Sequence, residues 1–214
     1  MSPARKRLYA IIIITVFCFI IVMGIGNFRA KQLAVEMAAV QIEQTMAIAV
    51  QQLDIGKMQK IFQTLDEKEP YYNEIREKFI KLKKEHNLAD IFIIYKNSQS
   101  EWFHVVDARE QNDPAHSPLS KLEDQASGSI QRTLKGQAVR GEYHDTFFGA
   151  VVSSYQQIKD RQGNVIAVLG ADFASEEITE FLFTTRYVQF GVIGVCLLLV
   201  CGVVLLTSPQ KNKY

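Results

Sequence analysis

Two stretches of this chain carry no charged residue over nineteen positions each: Leu8–Gly26, with 16 apolar residues, and Val188–Leu206, with 15. A helix of that length reaches roughly 28 Å, close to the ~30 Å of hydrocarbon in a bilayer. In lipid the backbone must satisfy its own hydrogen bonds, and helix is the form that does so within one segment. Both stretches are therefore expected to be transmembrane helices, over about 8–27 and 187–207. They leave short ends at 1–7 and 208–214 and one long middle segment, 28–186. This pattern excludes a simple soluble protein and a polytopic transporter, and it leaves room for one central domain.

The flanks set an orientation. Arg5, Lys6 and Arg7 precede the first stretch, and Lys211 and Lys213 follow the second. By the positive-inside rule both termini are expected in the cytoplasm and the middle segment outside it. Arg29, Lys31 and Arg186 lie on the far side, but a loop this long translocates largely regardless of charge. A cleaved signal peptide is the competing reading of the first stretch, with Gly24-Ile25-Gly26 as its small-x-small site. Its apolar run is longer than such peptides usually carry. All three cysteines, Cys18, Cys196 and Cys201, fall in the apolar stretches. The exported segment is thus expected to have no disulfide and no thiolate chemistry. It holds all 23 acids and 19 of the 24 bases, a net charge of −4. No basic field is present to hold a nucleic-acid backbone.

Along the middle segment the apolar period changes twice. Lys31 to Leu65 reads as one long helix continuing from the first stretch, with Leu33, Met37, Val40, Ile48, Val50, Leu53, Met58, Ile61 and Leu65 recurring at mostly three- and four-residue steps and Gly56 marking a kink. Pro70 opens a second helix, with Tyr72, Ile75, Phe79 and Leu82 as its buried stripe and Asn87 as its stop. Ile91–Tyr95 and Trp102–Asp107 read as strands around a turn at Asn97–Ser100. After a polar loop, Ala108 to Pro118, Ser120-Lys121-Leu122-Glu123 fits a capping box that would open a helix carrying Leu122, Ala126, Ile130 and Leu134 and ending at Gly136. Strands follow at Val139–His144, Ala150–Ile158 and Asn164–Asp172, the last two joined by a hairpin at Lys159–Gly163. Ser175 is expected to cap a final helix through Ile178, Phe181 and Leu182 that runs into the second apolar stretch. The fold class is α+β: one antiparallel sheet of five strands with helices packed on it.

Val105-Val106-Asp107-Ala108 through Ser117-Pro118-Leu119, and Val152-Ser153-Ser154-Tyr155-Gln156-Gln157-Ile158-Lys159-Asp160 followed by Gly163-Asn164-Val165-Ile166-Ala167-Val168-Leu169-Gly170-Ala171-Asp172-Phe173, resemble the second strand, its loop and the last hairpin of the extracytoplasmic Cache sensor domains. These are a PAS-like group of bacterial chemoreceptors, sensor kinases and diguanylate cyclases. The likeness covers about Lys31 to Arg186. It implies a five-stranded antiparallel sheet behind a long N-terminal helix, with a small ligand held between sheet and loops. The Arg-x-Trp-aromatic cluster of amino-acid-binding members has no counterpart in Tyr143 to Ala150 or the preceding loop. Asp172 alone matches the position of an amine-binding carboxylate, so the resemblance leaves the ligand class open.

Candidate ligand contacts follow from strand parity and from this likeness. Asp172 ends a strand just before the last helix, where a carboxylate can pair with a ligand cation or cap the helix. Ser153 and Tyr155 share one face of their strand, where polar groups mark either a pocket or a solvent face. Trp102 and His104 alternate with Phe103 and Val105, and an aromatic body with a polar tip suits either ligand lining or core packing. Arg109, on a loop, and Tyr143 complete the set. His104, His116 and His144 with Asp107, Asp113 and Asp145 offer no short-spaced pair of metal ligands, and no metal or cofactor is expected. No Gly-x-Ser-x-Gly elbow is present, and Ser127-Gly128-Ser129 falls within the helix expected there, so no catalysis is expected. Gly191, Gly194 and Gly202 form no Gly-x-x-x-Gly motif.

These observations point to a non-enzymatic, membrane-anchored sensor of a small molecule. Only Thr207 to Tyr214 follow the second apolar stretch, so the expected output runs through a partner protein, with homodimerisation as another route. Two alternatives stand beside it: a structural or regulatory subunit of a membrane complex, and a remnant of a longer chemoreceptor, sensor kinase or diguanylate cyclase.

Overall fold

The computed structural model describes residues 3–123, 127–146 and 149–207. They divide into two units: Val35–Glu176, and the terminal segments up to Ala34 and from Glu177. The second unit contains the apolar parts of α1 (Pro3–Gln51) and α5 (Ser175–Thr207), two helices long and apolar enough to cross a membrane. Their large side chains are bare, Phe17 at 61% exposure and Leu198 at 75% among them, as lipid-facing surfaces are. Gly26 meets Gln189 there, whose Nε2 lies 2.8 Å from where a Cβ on Gly26 would stand.

The central unit carries α2 (Ile55–Thr64), β1 (Asp90–Lys96), β2 (Trp102–Asp107), β4 (Val139–Thr146), β5 (Gly149–Lys159) and β6 (Val165–Ala174). It also holds α3 (Pro70–Glu85), α4 (Gly128–Leu134) and a two-residue strand β3 (Leu122–Glu123). The sheet order is β3-β2-β1-β6-β5-β4 with every pair antiparallel. The expected PAS-like α+β sheet of five strands is present, with β3 added at one edge. Strand ends agree with the sequence reading to within about two residues.

Several expectations are corrected. The first helix does not continue to Leu65. It stops at Gln51, and Asp54 restarts the chain as the N-cap of α2, its Oδ1 accepting from the Lys57 N–H at 3.2 Å. The Tyr71 hydroxyl accepts from the Asp54 N–H at 2.6 Å and fixes the break, while Gly56 lies in the first turn of α2. Nor does Ser120 open a helix. It sits at φ +66°, where an N-cap needs extended backbone. Its N–H donates to the His104 carbonyl, and the His104 N–H donates to that of Lys121, so the segment is drawn onto the free edge of β2 as β3. The helix begins instead at Gly128, capped by Ser127 Oγ, which accepts from the Ile130 N–H. Ser127-Gly128-Ser129 is thus a helix start rather than mid-helix; Ala126 lies outside the described residues, as do the side chains of Ser175, Phe181 and Leu182. Asn87 does end α3, at φ +51°.

The inward face of α1 is also not its bulkiest one. Met37 is 61% exposed, and Ala38, Ala39, Ile42, Met46 and Ala49 are buried. Small side chains let the helix lie close to the sheet. At Gly141, φ +60°, an added Cβ would stand 2.9 Å from that of Ala39. Arg140 clasps the helix there, reaching Glu36 at 2.7 Å and Glu43 at 2.9 Å.

The two sheet faces differ. On one, Tyr95 stacks on Phe62 of α2 at 4.6 Å, and Ile91, Ile93, Leu169 and Val152 are buried. On the other, Phe92, Ile94 and Val168 pack with Ile130 of α4, joined by Trp102, Leu134 and Tyr155.

Candidate ligand site

The α4 face should be apolar throughout, and it is not. Strand register places Asp90 of β1 opposite Asp172 of β6, Asp172 opposite Ser153 of β5, and Ser153 opposite Glu142 of β4. Directly paired residues share a sheet face, so four polar side chains line up across four strands. The next row is Phe92, Gly170 and Tyr155, and it is aromatic.

Each member of the polar row is engaged. Ser153, 2% exposed, donates to Asp172 Oδ1 at 2.6 Å. Asp90 Oδ1 accepts from the Ile91 N–H at 2.8 Å. Arg109 brings its Nε to 3.2 Å from Asp90 Oδ2 and an Nη to 4.0 Å from Asp172 Oδ2. A third acid, Asp107 at the end of β2, holds the loop that carries Arg109. Its oxygens accept from the N–H groups of Arg109 at 2.7 Å and Ser117 at 2.6 Å. Arg109 in turn donates to the Ala115 carbonyl, and Arg76 of α3 donates to the Arg109 carbonyl. At the far end Glu142 accepts from Ser129 and pairs with Arg132, both on α4, with His144 at 3.6 Å.

Burial governs the electrostatics. Asp90 is pushed well above the usual carboxylate range by loss of water and by the neighbouring charge of Asp107, with Arg109 pulling the other way. Burial raises Asp172 as well, opposed by the Ser153 hydrogen bond and by Arg109. Tyr155 is pushed up to about 12 by burial and then by the charge of Asp172. For Glu142 burial acts upward, but its bonds to Ser129 and Arg132 outweigh it and hold the carboxyl below its ordinary value.

The structure thus brings Asp172, Ser153, Tyr155 and Arg109 together on one face. Trp102 and His104 share that face toward its other end, His104 tilted against Phe92 at 6.3 Å and Trp102 under Lys96. Tyr143 pairs with Val152, so it points to the opposite face, and it is 43% exposed. Sequence reading missed Asp90, Glu142 and Arg132 as members of the site. Asp90 directly precedes a fully apolar strand, and an acid sharing the parity of Phe92 and Ile94 was the available signal. A cleft of about 340 Å³ opens beside Tyr155, lined also by Thr133, Gln137, Gln157 and Lys159. Among the described residues no group of His, Cys, Asp and Glu is arranged to hold a metal ion.

No protein-family model matches the chain, and no curated protein matches it. Among solved structures it is similar to the ligand-binding domain of the Campylobacter jejuni chemoreceptor Tlp3 in complex with 4-methylisoleucine, at 15% identity and a TM-score of 0.46, over 73% of this chain and 59% of that one. It is similar to the Escherichia coli DcuS sensor domain at 12% identity and a TM-score of 0.43, over 72% of this chain and 98% of that one. It is also similar to the ligand-binding domain of the Pseudomonas aeruginosa PAO1 amino acid chemoreceptor PctC in complex with GABA, at 11% identity and a TM-score of 0.37, over 72% and 65%. The chain therefore spans less than two thirds of the Tlp3 domain. These neighbours are named as ligand-binding or sensor domains.

Proposed function

We propose that Val35–Glu176 is the extracytoplasmic sensory domain of a membrane-anchored signalling protein, and that it binds a small organic molecule carrying a positive charge. Both chain termini lie in the cytoplasm in this reading, on the strength of Arg5, Lys6, Arg7, Lys211 and Lys213. One observation carries the ligand assignment: the row Asp90–Asp172–Ser153–Glu142 interrupts an apolar face, and its central part holds more acids than bases. Buried polar groups are costly unless hydrogen-bonded, and buried charges unless paired. An ammonium group would add the missing positive charge at Asp172, whose Oδ2 has Arg109 only at 4.0 Å. Tyr155 and Ser153 border that position, and on the other side of Tyr155 the cleft of about 340 Å³ runs toward Thr133 and Lys159.

Asp172 lies three residues before α5, the helix that enters the second apolar segment. A ligand that favours one arrangement of β6 shifts the equilibrium by its difference in affinity for the two states, and by no more.

The test is thermal unfolding of the full chain in lipid nanodiscs against a panel of amines, amino acids and carboxylates. A ligand at one hundred times its Kd raises stability by about 2.7 kcal/mol. The expected result is stabilisation by one or more amines or amino acids in the wild type, lost in Asp172→Asn. Stabilisation by carboxylates alone, or amine stabilisation that survives Asp172→Asn, refutes the assignment.

A further inference from the structure

Two carboxylates share one guanidinium across the β1–β6 pair. Asp90 and Asp172 are directly opposed, with side chains 4% and 11% exposed, and Arg109 bridges them. The groups around them are settled. Asp107 of β2 is committed to backbone N–H groups, with His116 Nδ1 at 3.6 Å. From α3 come Lys83, whose charge favours ionised Asp90, and Arg76, bound to the Arg109 carbonyl; Tyr72 faces Asp107. From β5 come Ser153 and Tyr155, and from β4 Glu142 and His144, the latter favouring ionised Asp172. Among the described residues, the one full positive charge in contact with the pair is that of Arg109. Two ionised carboxylates leave it one charge short, and an uncompensated buried charge is removed most cheaply by a proton.

We infer that the Asp90–Asp172 pair, bridged by Arg109, is a proton-binding site, so that this domain responds to external acidity in its own right. This goes beyond the ligand reading and does not depend on it, since the proton is bound with no organic molecule present. With the proton in place the pair carries one negative charge, which Arg109 matches. When it leaves, two carboxylates compete for the same guanidinium. Arg109 also holds the Ala115 carbonyl through Nη1 at 2.8 Å and is tied to α3 through its own carbonyl. A change in its pairing is therefore felt by the loop from Ala108 to Lys121. The apparent titration belongs to the pair rather than to either residue.

The direction is fixed by linkage. Burial raises both carboxyls above their unfolded values. The stability they contribute is complete below the ordinary carboxylate range and is lost as pH rises through the raised folded value. Where one more proton is held folded than unfolded, the unfolding constant changes about tenfold per pH unit.

The experiment uses the full chain in lipid nanodiscs without added ligand. Thermal unfolding is followed across a pH series, and infrared difference spectra record the C=O stretch of protonated carboxyl groups, with aspartate carboxyls isotopically labelled for assignment. The expected wild type keeps a protonated aspartate band above the ordinary carboxylate range, and its unfolding temperature falls over the interval in which that band disappears. Asp90→Asn, which holds the neutral state permanently, loses both the band and that interval of pH dependence and is the more stable protein at alkaline pH. Asp172→Asn ends the competition for Arg109, so the Asp90 band disappears at a lower pH than in the wild type, although burial and Asp107 still act on it. Absence of the band in the wild type, or a flat unfolding profile there, overturns the inference without recourse to any variant. Persistence of the band in Asp90→Asn, or an unmoved interval in Asp172→Asn, overturns it equally.

Discussion

Replacing Gly170 with alanine places a methyl group beneath the ring of Phe92. An ideal Cβ there stands 2.4 Å from Phe92 Cζ, 2.5 Å from Cε2 and 3.1 Å from Cε1. Carbon atoms prefer about 3.5–4.0 Å, so the ring must retreat by about 1 Å. It has little room to do so. Phe92 is 9% exposed, with the Tyr155 ring edge-on at 6.2 Å and His104 at 6.3 Å. Overpacking of this kind costs about 1–3 kcal/mol. Against that, Gly170 is not held at positive φ, so alanine gains about 0.5–1 kcal/mol from a less disordered unfolded chain. With two ring carbons at 2.5 Å or less the cost falls in the upper part of that range, so the balance is destabilisation by about 1–2 kcal/mol. For a unit of this size that corresponds to a fall in Tm of about 3–6 °C, read by thermal or denaturant unfolding of the purified protein. Phe92→Leu in the same chain shortens the obstructing side chain. The double variant should recover at least about 0.5 kcal/mol relative to the sum of the two single ones. A neutral or stabilising Gly170→Ala, or strict additivity in the cycle, refutes the reasoning. It would mean that the Phe92 ring does not lie on the glycine, and that the aromatic row bordering Asp172 is packed differently.

Two further effects bear on the site and its support. Ser153→Ala removes the hydroxyl that donates to Asp172 Oδ1 at 2.6 Å, leaving a buried acceptor unsatisfied at a cost of about 1–3 kcal/mol. Because that bond favours the charged carboxyl, the loss should grow on the alkaline side and shrink under acid, and a deficit constant across a pH series of unfolding curves would exclude the assigned bond. Asp54→Ala removes the cap of α2 and should cost about 1 kcal/mol in denaturant midpoint while α1 still ends at Gln51, since the Tyr71 hydroxyl bonds the backbone rather than the side chain. Amide exchange showing protected helix through Gln52 to Asp54 in that variant would assign the break to the side chain instead.

Local chemistry made much of the fold readable. The charge-free lengths of Leu8–Gly26 and Val188–Leu206, Pro70 at a helix start, and the change of period at Ile91 each act through neighbouring residues in the chain. Composition and parity alone therefore expose them. Where a tertiary partner competes for the same backbone groups, the local signal loses. Ser120 to Glu123 has every residue of a capping box, yet the open edge of β2 offers the segment carbonyls and N–H groups that a helix start would have to leave partly unpaired. Met37 belongs to the bulky face of α1, yet the alanine face lies inward because the helix must pass Gly141 at contact distance.

The site divides along the same line. Sequence reading reached Asp172, Ser153 and Tyr155 through strand parity and resemblance, because side-chain direction repeats every two residues along one strand. Whether Asp90 and Glu142 join them depends on register between strands that lie up to 82 residues apart, and hydrogen bonding sets that register only once the sheet has formed. The chain's own order thus determined its two apolar helices, its strands and their polar positions. Tertiary structure alone decided that four of those positions form one row and that two buried carboxylates must share Arg109.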